Sequence, residues 1–161
     1  MAKPTGSTGT TVTLFGASDL LDEALSNQLG QRGCKTHFVT VPSGWLRSAT
    51  HAIMRLDTTA GAAALEELAE TPEPRSHVIA VCPEQIDPAE SDRLREMCRA
   101  CGSHHDVSLI WHTPLGADAP VNRAAATALA VSVADEMVGH SPGGGPSFVA
   151  RPLTLEVDPH Q

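Results

Sequence analysis

The sequence predicts an α/β chain, a three-layer, doubly wound parallel sheet of about six strands with helices on both faces. Three observations lead there. Short apolar, β-branched runs alternate with helix-length segments along the chain. Inner runs such as HVIAVC (77–82) are continuously apolar, as parallel strands covered on both faces must be. Glycines, prolines and capping residues fall at the joints between the two kinds of segment.

Taken in order, MAKPTGSTGT (1–10) is a polar tail, and TVTLFG (11–16) reads as a buried strand ending in glycine. Asp19 to Arg32 places Leu20, Leu21, Ala24, Leu25 and Leu29 at helical spacing, closed by Gly30 and Gly33. CKTHFVTV (34–41) is a second strand, stopped by Pro42, and Ser43 to Ala52 is ambiguous. AIMRLD (52–57) is a third strand, and Ala60 to Glu70 the next helix. After the fourth strand at 77–82, Asp87-Pro88 supplies the N-cap and first turn of a polar helix reaching Cys101. VSLIWH (107–112) is the fifth strand, Pro120 to Val138 a long helix of small apolar residues, and FVARPLTLEV (148–157) a last strand-like run. The reading is one domain over 11–157, with a second short tail at 158–161.

Bulk composition limits the functions. The 161 residues are 41% hydrophobic and 19% charged, enough for a real core. A formal charge of −8 opposes binding to a phosphate backbone or an anionic membrane. No leader-like start and no apolar stretch approaching about 18 residues is present, so a cytoplasmic location is expected. Cys34, Cys82, Cys98 and Cys101 are then expected as reduced thiols.

In a doubly wound sheet of this Rossmann-like kind, the turn after the first strand is the place to look for a dinucleotide site. Here it reads GASDLLDEAL (16–25). The stretch VTLFGASDLLDEALSNQLGQRG resembles the opening of short-chain dehydrogenases/reductases, where a Gly-Ala-Ser turn leads into a helix. RLDTT (55–59) resembles that family's Asp-Val-Thr segment, with Asp57 at the adenine-contacting position. HVIAVCPEQ (77–85) is similar to its fourth strand and Asn-Asn-Ala-Gly turn, and NRAAATALAVSVADEM (122–137) to the helix carrying its active-site Tyr and Lys. FVARPLTLEV resembles the strand after that helix; the family then continues with a substrate lid and a last strand, which these residues do not include.

The departures fall on the chemistry. Of the three glycines that the resemblance implies, Gly16 is kept, while Asp19 and Asp22, or Leu20 and Asp22 on the alternative spacing, stand at the other positions. A carboxylate at a helix N-terminus suits the helix dipole but takes the place of a bound pyrophosphate with like charge. The Tyr-x-x-x-Lys pair becomes Ala119 and Arg123, and the chain contains no tyrosine to carry a proton. The Asn-Asn-Ala-Gly turn becomes Val81-Cys82-Pro83-Glu84, and the family's serine falls near His112 or Thr113. The resemblance thus implies that Gly16, Asp19, Asp22, Asp57, Glu84 and Arg123 are vestigial cofactor positions, and no NAD(P), metal or other cofactor is expected.

Other chemistry weighs less. Cys98-x-x-Cys101 with His104, His105 and Asp106 has zinc-ligand types but lacks a second ligand pair at suitable distance. His112, at a strand's C-terminal end, could serve as a base or simply be a satisfied polar residue. Helix 120–138 is small and apolar nearly all round, which implies cover on both sides. In the resembling family this helix lies in a dimer interface, so Ala124, Ala128, Val131 and Met137 are the candidate contact residues. Three functions stay open. The first is a non-catalytic subunit, a pseudoenzyme pairing with itself or with an active dehydrogenase-like partner. The second is a non-redox enzyme using His112, Asp19 and Arg123, and the third a residual NAD(P)-binding oxidoreductase or cofactor sensor.

Overall fold

The computed structural model describes residues 11–40, 51–70, 77–84, 87–113, 119–139 and 147–155. The ambiguous segment 43–50, both tails and the Gly-rich stretch 141–146 lie outside them. The elements run β1 (Thr11–Phe15), α1 (Leu20–Gln31), β2 (Lys35–Val39), β3 (His51–Arg55), α2 (Thr59–Ala69), β4 (His77–Pro83), α3 (Pro88–Cys101), β5 (Asp106–His112), α4 (Ala119–Gly139) and β6 (Ser147–Leu153). The strands form one six-stranded sheet in the order β2-β1-β3-β4-β5-β6, and every pairing is parallel. The expected α/β fold with three Rossmann-like layers is what the chain adopts. The final strand is shorter than its apolar run, ending at Leu153.

Alternation along each strand sends side chains to two cores. Val12, Leu14, Ile53, Ile79, Val81 and Ile110 pack under α1 and α4. Phe15, Met54, Ala80, Leu109 and Trp111 pack under α2 and α3. The helices start where short polar side chains cap them. Asp19 accepts from the Asp22 N–H, Thr58 from Gly61, and Asp87 from Ala89 and Glu90.

Two features of the topology were not legible in the pattern of runs. First, β3 lies against β1, whereas the order 3-2-1-4-5-6 of dinucleotide-binding sheets puts the third strand outside the second. The switch point, where the strand order reverses, therefore falls between β1 and β3. Second, α4 shares the α1 face although β5 to β6 advances in the same direction as β3 to β4 and β4 to β5. The last crossover is thus opposite in hand to the other three, which makes it left-handed where they take the usual right-handed sense of a βαβ unit. Packing explains it. With α2 and α3 both on one face, α1 alone cannot cover Ile79, Val81 and Ile110 on the other, and α4 does so.

That placement corrects the expectation drawn from the all-round apolar character of the helix. α4 buries Ala125, Ala126, Leu129, Ala130, Val133, Ala134 and Met137 between the sheet and α1, so the wide apolar arc is covered within the chain. Met137 is only 5% exposed and is a core residue, not an outer contact. The side facing outward carries Arg123, Ala124, Thr127 and Asp135, with Ala128 and Val131 half-buried at its border. Asp135 there pairs with Arg32 at 2.8 Å, linking α4 to the end of α1.

The sheet's β6 edge is unpaired on its outer side among the described residues. Thr113 N–H donates to the Leu153 carbonyl, so Leu153 faces β5 and its neighbour Pro152 faces outward, where a missing N–H blunts further pairing.

Leu129→Ala, in the interior of α4, is expected to cost about 2–5 kcal/mol in urea unfolding. Ala124→Ser, on the outward side, is expected to stay within about 0.5 kcal/mol.

Candidate functional site

Open α/β sheets bind ligands outside the carboxyl ends of their strands at the switch point. In this chain that crevice, between β1 and β3, is filled by side chains of its own. Arg55 is the last residue of β3 and is 3% exposed. A buried guanidinium requires counter-charges and acceptors, and three carboxylates supply them. Nη1 donates to Asp19 Oδ1 at 2.5 Å and to Asp22 Oδ1 at 2.8 Å, and Nη2 donates to Asp57 Oδ2 at 3.1 Å. Burial alone pulls the Arg55 pKa down, but Asp19, Asp57 and Asp22 outweigh it and hold the group charged. Asp19 is held below the usual carboxylate range: burial pushes it up, and Arg55 more than reverses this.

Asp22 is 1% exposed and does more than pair with Arg55. Its Oδ2 accepts from the backbone N–H of Ala17 at 2.7 Å and of Ser18 at 2.6 Å. Ser18 takes φ 56°, in the left-handed region. Such a turn points successive N–H groups into one concavity, an anion-binding nest at the mouth of a helix. The anion seated in it is the Asp22 carboxylate. Gly16 permits the fit, because a Cβ there would stand 2.3 Å from Asp22 Oδ2 and 2.7 Å from Cγ. Gly16 thus has a local reason: close approach of a side-chain carboxylate.

The loop after β3 fixes Arg55 from behind. Thr58 Oγ1 donates to the Arg55 carbonyl at 2.7 Å and accepts from Gly61 N–H at 3.0 Å. A Cβ on Gly61 would lie 1.9 Å from the Arg55 carbonyl oxygen, so α2 can approach β3 only through glycine.

The remaining candidates do not converge. Glu84 is exposed, and its N–H donates to the His112 carbonyl at 3.0 Å. His112 is buried, and its Nδ1 donates to the Thr113 carbonyl at 2.9 Å, leaving Nε2 as the lone-pair nitrogen. Burial lowers its pKa; Thr113, Asp57 and Glu84 oppose this and Arg55 reinforces it. Asp19 lines a groove of about 450 Å³ along α1 and Phe38, whereas Arg123 lines a separate one of about 220 Å³ between α1 and α4. His112, Asp19 and Arg123, the proposed non-redox trio, are therefore not all gathered in either groove. Ala119 opens α4.

Cys98 and Cys101 are buried under α3 and His104 is exposed, and no metal-binding cluster occurs among the described residues. Burial pushes the Cys98 thiol up to about 12 and Cys101 to about 11, so neither supplies thiolate near neutral pH. Cys82, at the end of β4, is pushed up to about 12 by burial and by Asp57 and Glu90.

Arg55 and Gly61 were missed in the sequence. The signal existed: a charged residue inside the apolar run AIMRLD demands buried partners, and acidic side chains at Asp19, Asp22 and Asp57 were available. No known family model, curated protein or solved structure matches the chain. No described helix is long and apolar enough to cross a membrane.

Two expectations follow. Asp22→Ala strips two backbone donors and Arg55 of their acceptor and is expected to cost about 3–5 kcal/mol in urea unfolding, whereas the half-exposed Asp57→Asn is expected to cost at most about 1 kcal/mol. For His112, a folded pKa below the ordinary 6.5 leaves its contribution to stability intact above that pH and erodes it as pH falls. His112→Gln should therefore flatten the loss of stability as pH falls below about 6.5.

Proposed function

We propose that this chain is a non-catalytic, dehydrogenase-like subunit whose dinucleotide position is occupied by its own Asp22. The observation that carries the reading is the seating of the Asp22 carboxylate on the Ala17 and Ser18 N–H groups against buried Arg55. A pyrophosphate arriving at this turn would meet donors already bonded and three carboxylates around a single guanidinium. Like charges about 4 Å apart cost about 1 kcal/mol in water and several times that in a drier cleft. The proton-carrying tyrosine of the resembling family has no counterpart, since the chain contains none.

Its role is association, with a second copy or with an active dehydrogenase-like partner, through the outward side of α4. Ala124, Ala128 and Val131 give that side a low profile, so a second helix can approach closely. Calorimetric titration with NADH and NADPH is expected to give no binding heat at millimolar cofactor. Sedimentation velocity is expected to show self-association, or a complex with a co-purifying dehydrogenase-like chain, that Ala128→Arg dissolves. Saturable cofactor heat overturns the self-filled site; a monomer without a co-purifying partner overturns the subunit role.

A further inference from the structure

The face of the sheet opposite the Arg55 crevice carries an unanswered donor. Trp111, next to the end of β5, turns its indole under α3 and is 8% exposed. Its Nε1–H has no hydrogen-bond partner among the described residues. A buried donor left unmade costs about 1–3 kcal/mol, so such a group in a folded chain calls for an acceptor. The Arg95 guanidinium, from α3, lies 5.2 Å from the centroid of the Trp111 ring. One turn on, Arg99 lies 6.0 Å from the centroid of Phe148 of β6. Spacing of i and i+4 puts both arginines on one side of α3, beside the sheet edge.

These two cations are poorly neutralised for a chain of net charge −8. Arg95 has no ion pair among the described residues, and Arg99 meets only the exposed Glu96 at 3.4 Å. Arginine on an aromatic ring keeps its N–H fork free for a second partner, and the fork matches the oxygens of a carboxylate or phosphate. Nε1 belongs to the ring that Arg95 covers. An acceptor placed to take its proton is therefore within reach of the Arg95 fork as well.

We infer that the corner formed by Arg95, Arg99 and Trp111 is a binding site for a small oxyanion, a phosphate or carboxylate group. It uses none of the residues of the Asp22 crevice and stands or falls apart from the function proposed above.

Trp45→Phe leaves Trp111 as the single indole of the full chain and makes its emission the reporter. Inorganic phosphate and succinate are titrated separately at ionic strength held constant with chloride. One of them is expected to change the emission saturably, and the tighter of the two defines the ligand as phosphate or carboxylate. Arg95→Gln is expected to weaken binding about tenfold, the size of one charge-assisted hydrogen bond, and Arg99→Gln to weaken it further. Calorimetry of Trp111→Phe, which keeps the ring and drops the N–H, is expected to show a several-fold loss. No saturable binding of either anion by emission or calorimetry overturns the inference, as does unchanged affinity in Arg95→Gln. A Trp111→Phe chain that binds as tightly as its parent contradicts the part assigned to the indole N–H.

Discussion

Arg55 leaves the end of β3 as a buried cation, and the top edge of the sheet is organised by the acceptors it requires. Asp19 caps α1 and reaches Arg55, Asp22 bridges Arg55 to the turn after β1, and Asp57 closes the far side. One guanidinium thereby ties the start of α1 to the β1 turn, to β3 and to the loop entering α2. Gly16 and Gly61 answer the same demand from two sides, since each gives up a Cβ so that a carboxylate or a carbonyl can come close. Remove the cation and three carboxylates would face one another in a partly dry crevice.

The same contact decides what the crevice can hold. A doubly wound sheet presents backbone donors at its switch point, and in ligand-binding members of this architecture those donors meet a phosphate. Here they meet Asp22, fixed at both oxygens. The chain keeps the shape of an anion site and supplies the anion itself, the arrangement on which the proposed non-catalytic role rests. The long helix α4 serves that scaffold first. It covers the β3–β5 half of the sheet that α1 leaves bare, and among its described side chains Arg123, Ala124, Thr127 and Asp135, with their half-buried neighbours, are left for anything outside.

Much of the architecture was legible because it is local. Runs such as HVIAVC and VSLIWH can only be covered strands, and Asp19, Thr58 and Asp87 stand where helix caps belong. Strand order was not legible, because whether β3 pairs with β1 or lies beyond β2 is a matter of distant pairing that no window of sequence contains. The side of the sheet taken by α4 was hidden for a similar reason: it depends on how much area α1, α2 and α3 leave uncovered. An apolar circumference looked like a call for an outside partner and proved largely to be filled from within, Met137 included. At the crevice, the two aspartates stand out in the sequence as obstacles to a phosphate, and the structure adds that Asp22 bonds the Ala17 and Ser18 N–H groups of the turn. What escaped was their partner, since Arg55 sits 33 residues from Asp22 and nothing in either neighbourhood names the other.

The central claim, that Asp22 is the anion of its own site, is tested most directly by nuclear magnetic resonance on the intact chain. Couplings through the hydrogen bonds should connect the Ala17 and Ser18 amide nitrogens to the Asp22 carboxyl carbon, and both amide resonances should stay in place when pyrophosphate is added. Missing couplings, with Ala17 and Ser18 amides that move on addition of pyrophosphate, would contradict the account.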